Sequence, residues 1–264
     1  MYQDLSFGER LREWRQRRRL SQLELAAEAE LSTRHLSFVE TGRAKPSREM
    51  VLRLCEALEL PLRSRNELLV AAGHAPSYPE RPLDDAGAEE ARSVVQRILD
   101  AHMPFPALAV DRQWHLVAHN AAVLPLMAGA SPELLQPPVN VLRLSLHPDG
   151  VAPRIVNLAE WKHHILDRLR HQIWHSADPV LEALWEELRA YPAPASKMPL
   201  QTKAGVPIAV PLILNSPAGQ LSFLSTTTVF GTPVEVTLSE LAIESFFPAD
   251  QSTAERLREV AEAL

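Results

Sequence analysis

The stretch "SQLELAAEAELSTRHLSFVE", residues 21–40, decides the fold of the first part of the chain. It contains two helix starts, because Ser21 and Glu24 form a capping box and Ser32 can cap a second helix. Apolar residues recur at helical spacing on both sides of the turn, at Leu25, Ala26, Ala29, Leu31, Leu36 and Val39. Two short helices that share a small core across a tight turn are typical of a helix-turn-helix.

The flanking sequence predicts three more helices, and so an all-α domain of five helices over residues 1–75. "SFGE" at 6–9 is another capping box, and Ser47 can cap a fourth helix. A fifth helix, in "RSRNELLVAAG", stops at Gly73. The three prolines of "HAPSYPERPLDDAGAEE" then block helix formation. We therefore assign residues 76–104 to a linker and a connecting helix.

Charge is distributed unequally along this acidic chain. Residues 1–75 hold 13 Lys and Arg against 11 Asp and Glu, whereas residues 76–264 hold 14 against 22. The basic residues are also clustered, as "RQRRR" at 15–19 and around "GRAK" at 42–45. The net charge of −6 therefore does not exclude nucleic acid as a partner of the first domain.

The second helix of the motif has the residue types of a DNA-recognition helix. With Leu36 and Val39 facing inward, the outward positions would enter the major groove. Arg34 can bond guanine bidentately, and the start of the first motif helix can hold a phosphate. The "RRR" run at 17–19 would contact phosphates. The predicted contacts to double-stranded DNA are Gln22, Thr33, Arg34, Ser37, Phe38, Arg43 and Lys45.

Two observations keep a plainer interpretation open. Helix-turn-helix geometry also occurs as simple scaffold, and basic runs are often only solvated faces. The turn position that usually takes glycine holds Glu30, where a left-handed conformation would cost roughly 1 kcal/mol.

The remainder, residues 105–264, predicts an α+β domain with an antiparallel sheet and helices over one face. "FPALAVDRQWHLVAHN" alternates around a polar turn and indicates a hairpin. Helices are expected at about 120–128, 157–176 and 178–190, and a capping box "STAE" at 252–255 would open a last helix. Three strands are predicted in "VPIAVPLILN", "QLSFLSTTTVFG" and "LAIESFFPAD".

Nearly the whole chain resembles one known kind of regulator. "SQLELAAEAELSTRHLSFVETGRAKPSREMVLRLCEALELPLRSRNELLVAAG" is similar to the five-helix DNA-binding domain of the XRE family, in its MmyB-like branch. "PALAVDRQWHLVAHN", "NVLRLSLHPDGVAPRIVNLAEW" and "FGTPVEVTLSELAIESFFPAD" resemble the MmyB-like ligand-binding domain. The resemblance implies a PAS-like fold around an apolar pocket that in some members holds a fatty acid. It also implies DNA-facing roles for Gln22, Thr33, Arg34, Ser37 and Phe38, although Phe38 departs from the polar residue common there.

Candidate pocket residues come from one strand and one helix. Alternation along "QLSFLSTTTVFG" places Leu221, Phe223, Ser225 and Thr227 on one face of a strand. Helical spacing in "EWKHHILDRLRHQIWH" places Trp161, Ile165 and Arg168 near one another. Arg168 could meet a ligand carboxylate. The predicted ligand contacts are Trp161, Ile165, Arg168, Leu221, Phe223, Ser225 and Thr227. The alternative for each of them is ordinary core or surface.

Other sites and locations find little support. The single Cys55 excludes an internal disulfide and a cysteine zinc cluster. Because the start of the chain is charged, we expect no signal peptide, and we expect a cytoplasmic protein without a membrane span. His171 and His175 lie four residues apart, near His163 and His164, but "HQIWH" lacks the Glu of a zinc hydrolase. With no phosphate-binding glycine loop and no "GxSxG", we expect no cofactor, no metal and no catalysis.

The functional prediction is a transcription regulator that binds a palindromic operator as a homodimer and senses a small apolar ligand. One alternative is an antitoxin-like or scaffold protein whose larger domain only dimerises or binds a protein partner. The other is an enzyme fused to a DNA-binding domain.

Overall fold

The computed structural model describes residues 5–81, 89–194, 210–231 and 235–262, and the chain divides into two compact units. The first unit extends to Glu80, and the second contains most of the remainder. Five helices form the first unit, which confirms the prediction for this part of the chain. They are α1 (Phe7–Arg17), α2 (Gln22–Glu28), α3 (Thr33–Glu40), α4 (Arg48–Ala57) and α5 (Leu62–Ala71).

Serine side chains begin four of these helices, as the sequence predicts. The capping boxes of α1 and α2 are complete, because each serine hydroxyl accepts from a backbone N–H and each glutamate reaches back to the cap. Ser32 and Ser47 cap α3 and α4 by accepting from the N–H groups of His35 and Met50. Each cap satisfies an N–H that would otherwise lack a partner inside the helix.

The core of the first unit fixes the position of α3. Leu25 of α2 and Leu36 of α3 are completely buried in it, and Val39 nearly so. A Cβ atom on Gly8 would lie 2.4 Å from the carbonyl oxygen of Glu40. Because no side chain fits there, glycine allows the first turn of α1 to pack directly against the end of α3.

The turn between α2 and α3 is left-handed at a residue that is not glycine. Glu30, which stands where this turn usually has glycine, has a φ of 55°. The N–H of Leu31 donates to the carbonyl oxygen of Ala26 at 2.8 Å and closes the end of α2. The exposed Glu30 therefore adopts the strained conformation that this turn requires.

The second unit contains a five-stranded antiparallel sheet in the order β2-β1-β5-β4-β3, which confirms the predicted α+β class. The strands are β1 (Ala107–Val110), β2 (Leu116–His119), β3 (Leu212–Ser216), β4 (Gly219–Val229) and β5 (Ala242–Pro248). The helices are α6 (Glu89–Asp100), α7 (Leu124–Met127), α8 (Val141–Leu146), α9 (Leu158–Ser176), α10 (Pro179–Ala190), α11 (Val236–Ser239) and α12 (Gln251–Glu262). The PAS-like relationship of this sheet stays a prediction.

Both faces of β1 are covered. Leu108 and Val110 belong to the main core, together with Leu169 of α9 and residues of α10. Ala107 and Ala109 face the other way and pack in a second cluster with Val95, Leu99, Leu241 and Ile243. Helix α6, which the sequence suggests as a connection, is therefore packed on the sheet as a part of the second unit.

Two details of the second unit depart from the sequence predictions. Helix α12 begins at Gln251, and Asp250 caps it by accepting from the N–H of Thr253 at 2.7 Å. The predicted capping box at 252–255 is therefore wrong, because the earlier carboxylate takes the role of the cap. Of the strand predicted in "VPIAVPLILN", residues 206–209 lie outside the described residues. In the part of the chain that the structure describes, no helix is long and apolar enough to cross a membrane.

Candidate functional sites

The outward face of α3 carries the residues predicted to read bases. Thr33, Ser37 and Phe38 are half-buried and Arg34 is exposed, whereas Leu36 and Val39 lie inside. The helix therefore presents these four side chains on the side away from its own core.

Arg34 and Phe38 contact each other one helical turn apart. The guanidinium carbon of Arg34 lies 5.4 Å from the centroid of the Phe38 ring, a cation–π contact. The N–H groups of a guanidinium point outward in its own plane, so the ring orients them without using them. The sequence predicts Phe38 as a DNA contact, and in the structure its ring also lies against the guanidinium of Arg34.

A buried polar network links the ends of α1, α2 and α3. Glu40, with no exposed side-chain surface, accepts from Arg15 Nε and Nη2 at 2.7 and 3.0 Å. The Nε2 of Gln22 donates to the same carboxylate at 2.8 Å. Burial alone would raise the pKa of Glu40, but these bonds and the charges of Arg15 and Arg12 hold it below its ordinary value.

Gln22 therefore occupies the predicted place at the start of α2 with its amide fixed by Glu40. One N–H of the Gln22 amide is used by Glu40, and the other could still donate to a bound phosphate, together with the backbone N–H groups at the start of α2. Sequence reasoning missed Glu40 and Arg15, because a glutamate at a helix end is ordinarily a solvated charge. The close packing at Gly8 is what buries it.

The basic residues have different surroundings. Arg43 and Lys45 are exposed in the turn after α3, where the backbone N–H of Arg43 donates to the carbonyl of Phe38 at 2.8 Å. Arg18, from the "RRR" run, instead donates through Nε to the carbonyl of Leu58 at 2.9 Å. Burial lowers the pKa of Arg18. Arg43 and Lys45 are free to meet a phosphate backbone, and Arg18 helps to hold the first unit together.

The second unit contains a partly open cavity of about 120 Å³ on the inner side of its sheet. Its wall is almost entirely apolar and comes from strands β1, β2, β3 and β5 and helices α7, α8 and α9. Of the predicted ligand contacts, Trp161, Ile165 and Arg168 line it. Leu221 and Phe223 lie in the adjoining core, and Ser225 and Thr227 are not part of the wall.

An ion pair closes the polar side of the cavity. Arg168 donates to Glu244 through Nη1 at 2.9 Å and Nη2 at 2.5 Å, and Glu244 is only 4% exposed. Thr227 donates to the same carboxylate at 2.8 Å and also accepts a hydrogen bond from Arg168. The Arg168 guanidinium lies 4.6 Å from the centroid of the Trp114 ring. Among the described residues of the wall, Glu244 is the only carboxylate and Arg168 the only arginine, and they are bound to each other.

The remaining polar groups of the wall are uncharged or neutralised. The indole N–H of Trp161 donates to Ser145 at 3.0 Å. Burial lowers the pKa of His164, helped by the positive charge of Arg168, although Glu244 and Asp167 act in the opposite direction. His164 is therefore neutral near pH 7 and has one donor and one acceptor nitrogen.

Sequence reasoning missed Glu244, although a signal for it exists. The alternation of "LAIESFFP" puts Glu244 and Phe246 on one face of β5, so an inward Phe implies an inward Glu. A charged residue at an inward strand position needs a partner of opposite charge. Arg168, which the sequence predicts near the pocket, is that partner.

The histidines of α9 do not assemble into a metal centre. Among the residues that the structure describes, no group of three or more His, Cys, Asp or Glu side chains could hold a metal ion. His163 instead lies 3.1 Å from the carboxylate of Asp167, one turn along the helix.

Comparison with known proteins identifies the family of each part of the chain. The MmyB-like transcription regulator ligand binding domain matches residues 91–260, which is more than half of the chain, and a helix-turn-helix domain matches residues 6–68. No curated protein matches the chain. Both matched families are domains of regulators and not of enzymes. The chain therefore belongs to the MmyB-like transcription regulators, and it is a DNA-binding transcription regulator whose second domain binds a ligand.

Proposed function

We propose that this regulator binds a specific operator through α3 and changes its affinity for that operator when a small, mostly apolar molecule occupies the cavity. The observation that carries the proposal is the partly open apolar cavity in the domain that follows the helix-turn-helix unit. Such a cavity, with few polar groups on its wall, is typical of a site for a small molecule.

The proposed DNA contacts are Gln22, Thr33, Arg34, Ser37, Phe38, Arg43 and Lys45. The exposure of Arg34 and its cation–π contact with Phe38 support base reading by this face. Exposure of Arg43 and Lys45 supports phosphate contacts at its end.

We propose a homodimer on a palindromic operator. One recognition helix contacts only a few base pairs, and two copies about one helical turn apart would supply the affinity that a specific site needs. Analytical ultracentrifugation of the free protein and of its operator complex measures the number of protein chains in each. A single protein chain on each operator would contradict the proposed homodimer.

The proposed ligand contacts are Trp161, Ile165 and Arg168 on the wall, with Leu221, Phe223, Ser225 and Thr227 as support for it. The fatty acid implied by the resemblance has the kind of apolar chain that this wall suits. Ligand would favour one spacing of the DNA-binding domains and so shift the population that fits the operator.

The test begins with native mass spectrometry of the purified protein, which identifies a co-purifying apolar molecule. An operator is then selected from random DNA, and its dissociation constant is measured with and without saturating ligand. We expect a change of about fivefold or more. An unchanged constant would exclude sensing and favour the scaffold alternative, whereas a bound metal would favour the enzyme.

A further inference from the structure

The ion pair on the cavity wall restricts the chemistry of the ligand, if the cavity is the ligand site proposed above. Arg168 is the only Lys or Arg side chain on the described wall, and Glu244 is the only carboxylate. Two hydrogen bonds join them, so the wall carries no net charge from this pair.

Glu244 holds the place that the carboxylate of a ligand would need. It accepts from both terminal nitrogens of Arg168 and from Thr227, and its side chain is 5% exposed. The Trp114 ring covers one face of the same guanidinium. Bidentate recognition by arginine uses two N–H groups on one edge. A second carboxylate would therefore have to displace Glu244 or share its cation.

Neither arrangement is favourable in a cavity of this kind. Displacing Glu244 would leave its carboxylate buried without a cation, and separating a buried pair in this way is strongly unfavourable. Sharing would bring two negative charges to one positive charge in surroundings of low polarity. An ionised ligand would thus lose much of the binding free energy that burial of its apolar chain supplies.

Uncharged polar groups meet no such obstacle. His164 lies on the same wall and is neutral near pH 7, so it can donate to a carbonyl or accept from a hydroxyl. Ser145, which accepts from Trp161, adds a hydroxyl to the wall. Both groups suit a head group that makes one or two hydrogen bonds without a charge.

We propose that the cavity selects an apolar molecule with an uncharged polar end, such as an alcohol, ester or ketone, and discriminates against the free carboxylate of a fatty acid. Glu244 is then the residue that determines specificity, since it neutralises Arg168 before any ligand arrives. Replacing Glu244 by an uncharged residue of the same shape would release the cation and invert the preference.

The test compares dodecanol with dodecanoate, which share one chain and differ in the head group. Binding of each is measured calorimetrically to the full chain near neutral pH, where the acid is ionised, for the wild type and for Glu244→Gln. Glu259→Gln, an exposed position on α12, is the matched control for loss of one carboxylate. We expect the wild type and the control to prefer dodecanol by about tenfold or more. In Glu244→Gln the preference should move to dodecanoate.

Each other outcome also has a meaning. Equal or tighter binding of dodecanoate by the wild type would overturn the proposal while leaving the apolar site intact. An unchanged preference in Glu244→Gln would remove Glu244 from the mechanism. Failure of both probes to bind any of the proteins would contradict the proposed function itself. If Glu244→Gln does not fold, the double variant Arg168→Met with Glu244→Met should keep the preference for dodecanol, and a gain of dodecanoate binding by it would count against the proposal.

Discussion

Arg15 of α1 and Glu40 at the end of α3 form a bidentate ion pair across 25 residues of sequence. The glutamate side chain has no exposed surface and that of Arg15 is 12% exposed. Removing one partner of a buried pair typically costs about 3–5 kcal/mol, because the other charge stays buried. We expect Glu40→Gln to lower the free energy of unfolding of the first unit by about 3 kcal/mol.

Hydrogen exchange of the α1 and α3 amides measures this loss in the first unit alone. Glu56→Gln, at an exposed position of α4, is the control and should change little. Equal protection in both variants would show that the pair contributes nothing to stability.

The same pair predicts how stability depends on pH. The folded pKa of Glu40 lies below its ordinary value of 4.5. A carboxyl group of this kind stabilises the fold fully above 4.5 and loses its contribution as the pH falls through the lowered pKa. In the wild type we expect the protection of the α3 amides against hydrogen exchange to decline as the pH falls through the lowered pKa of Glu40. In Glu40→Gln this decline should be smaller. A parallel decline would assign the acid sensitivity to other groups.

Arg34 and Lys45 should differ in the kind of DNA affinity that they supply. Arg34→Ala should weaken binding to the selected operator by about 1–3 kcal/mol and leave random DNA nearly unchanged. Lys45→Ala should weaken both and reduce the dependence of affinity on salt, since it would contact phosphate. Fluorescence anisotropy with operator and random duplexes at several salt concentrations measures both effects. The same loss on both duplexes for both variants would exclude base reading by Arg34.

The left-handed turn offers a stabilising substitution. Glu30→Gly should raise the free energy of unfolding of the first unit by up to roughly 1 kcal/mol, because glycine adopts the φ of 55° without strain. Ala27→Gly, on the exposed side of α2, should lower it by about 1 kcal/mol. The pair of variants separates the effect of the turn from that of glycine itself, and a loss in both would contradict the strain at Glu30.

Cys55 should be inert in the folded protein. The side chain is completely buried, and burial raises the pKa of its thiol to about 12. Because the thiolate is the reactive form, a thiol reagent at mildly alkaline pH should modify Cys55 only as fast as the first unit opens. The denatured protein, as control, should react at once. Rapid stoichiometric modification of the native chain would show that α4 opens more often than its packing implies.

Local signals determined which parts of the fold could be predicted. The serine caps before α1 to α4 and the alternation of buried residues in the first half of β4 act within a few residues, so the sequence displays them directly. The cap of α12 was misassigned, because Asp250 and Ser252 both precede the helix and only geometry selects between them. Strand order follows from pairing over long distances and has no local signal.

The same difference between local signals and long-range contacts decides which parts of the two sites could be predicted. Exposure of Arg34 and burial of Leu36 follow from helical spacing, and so does the approach of Trp161, Ile165 and Arg168 to one cavity. The partners of Gln22 and Arg168 could not be predicted in this way. Glu40 and Glu244 reach them from elements 18 and 76 residues away, through contacts that exist only after folding.

The strand order also determines when each half of the molecule can be completed during synthesis. Strand β1 appears early in the second unit, but its neighbour β5 is translated only after residue 241. Until then the nascent chain contains two separate hairpins, β1 with β2 and β3 with β4, and isolated hairpins are marginally stable in water. The helix-turn-helix unit, made first, can fold on the ribosome well before the sheet closes. A prematurely terminated chain that lacks β5 would therefore carry a complete DNA-binding unit without a finished ligand-binding domain.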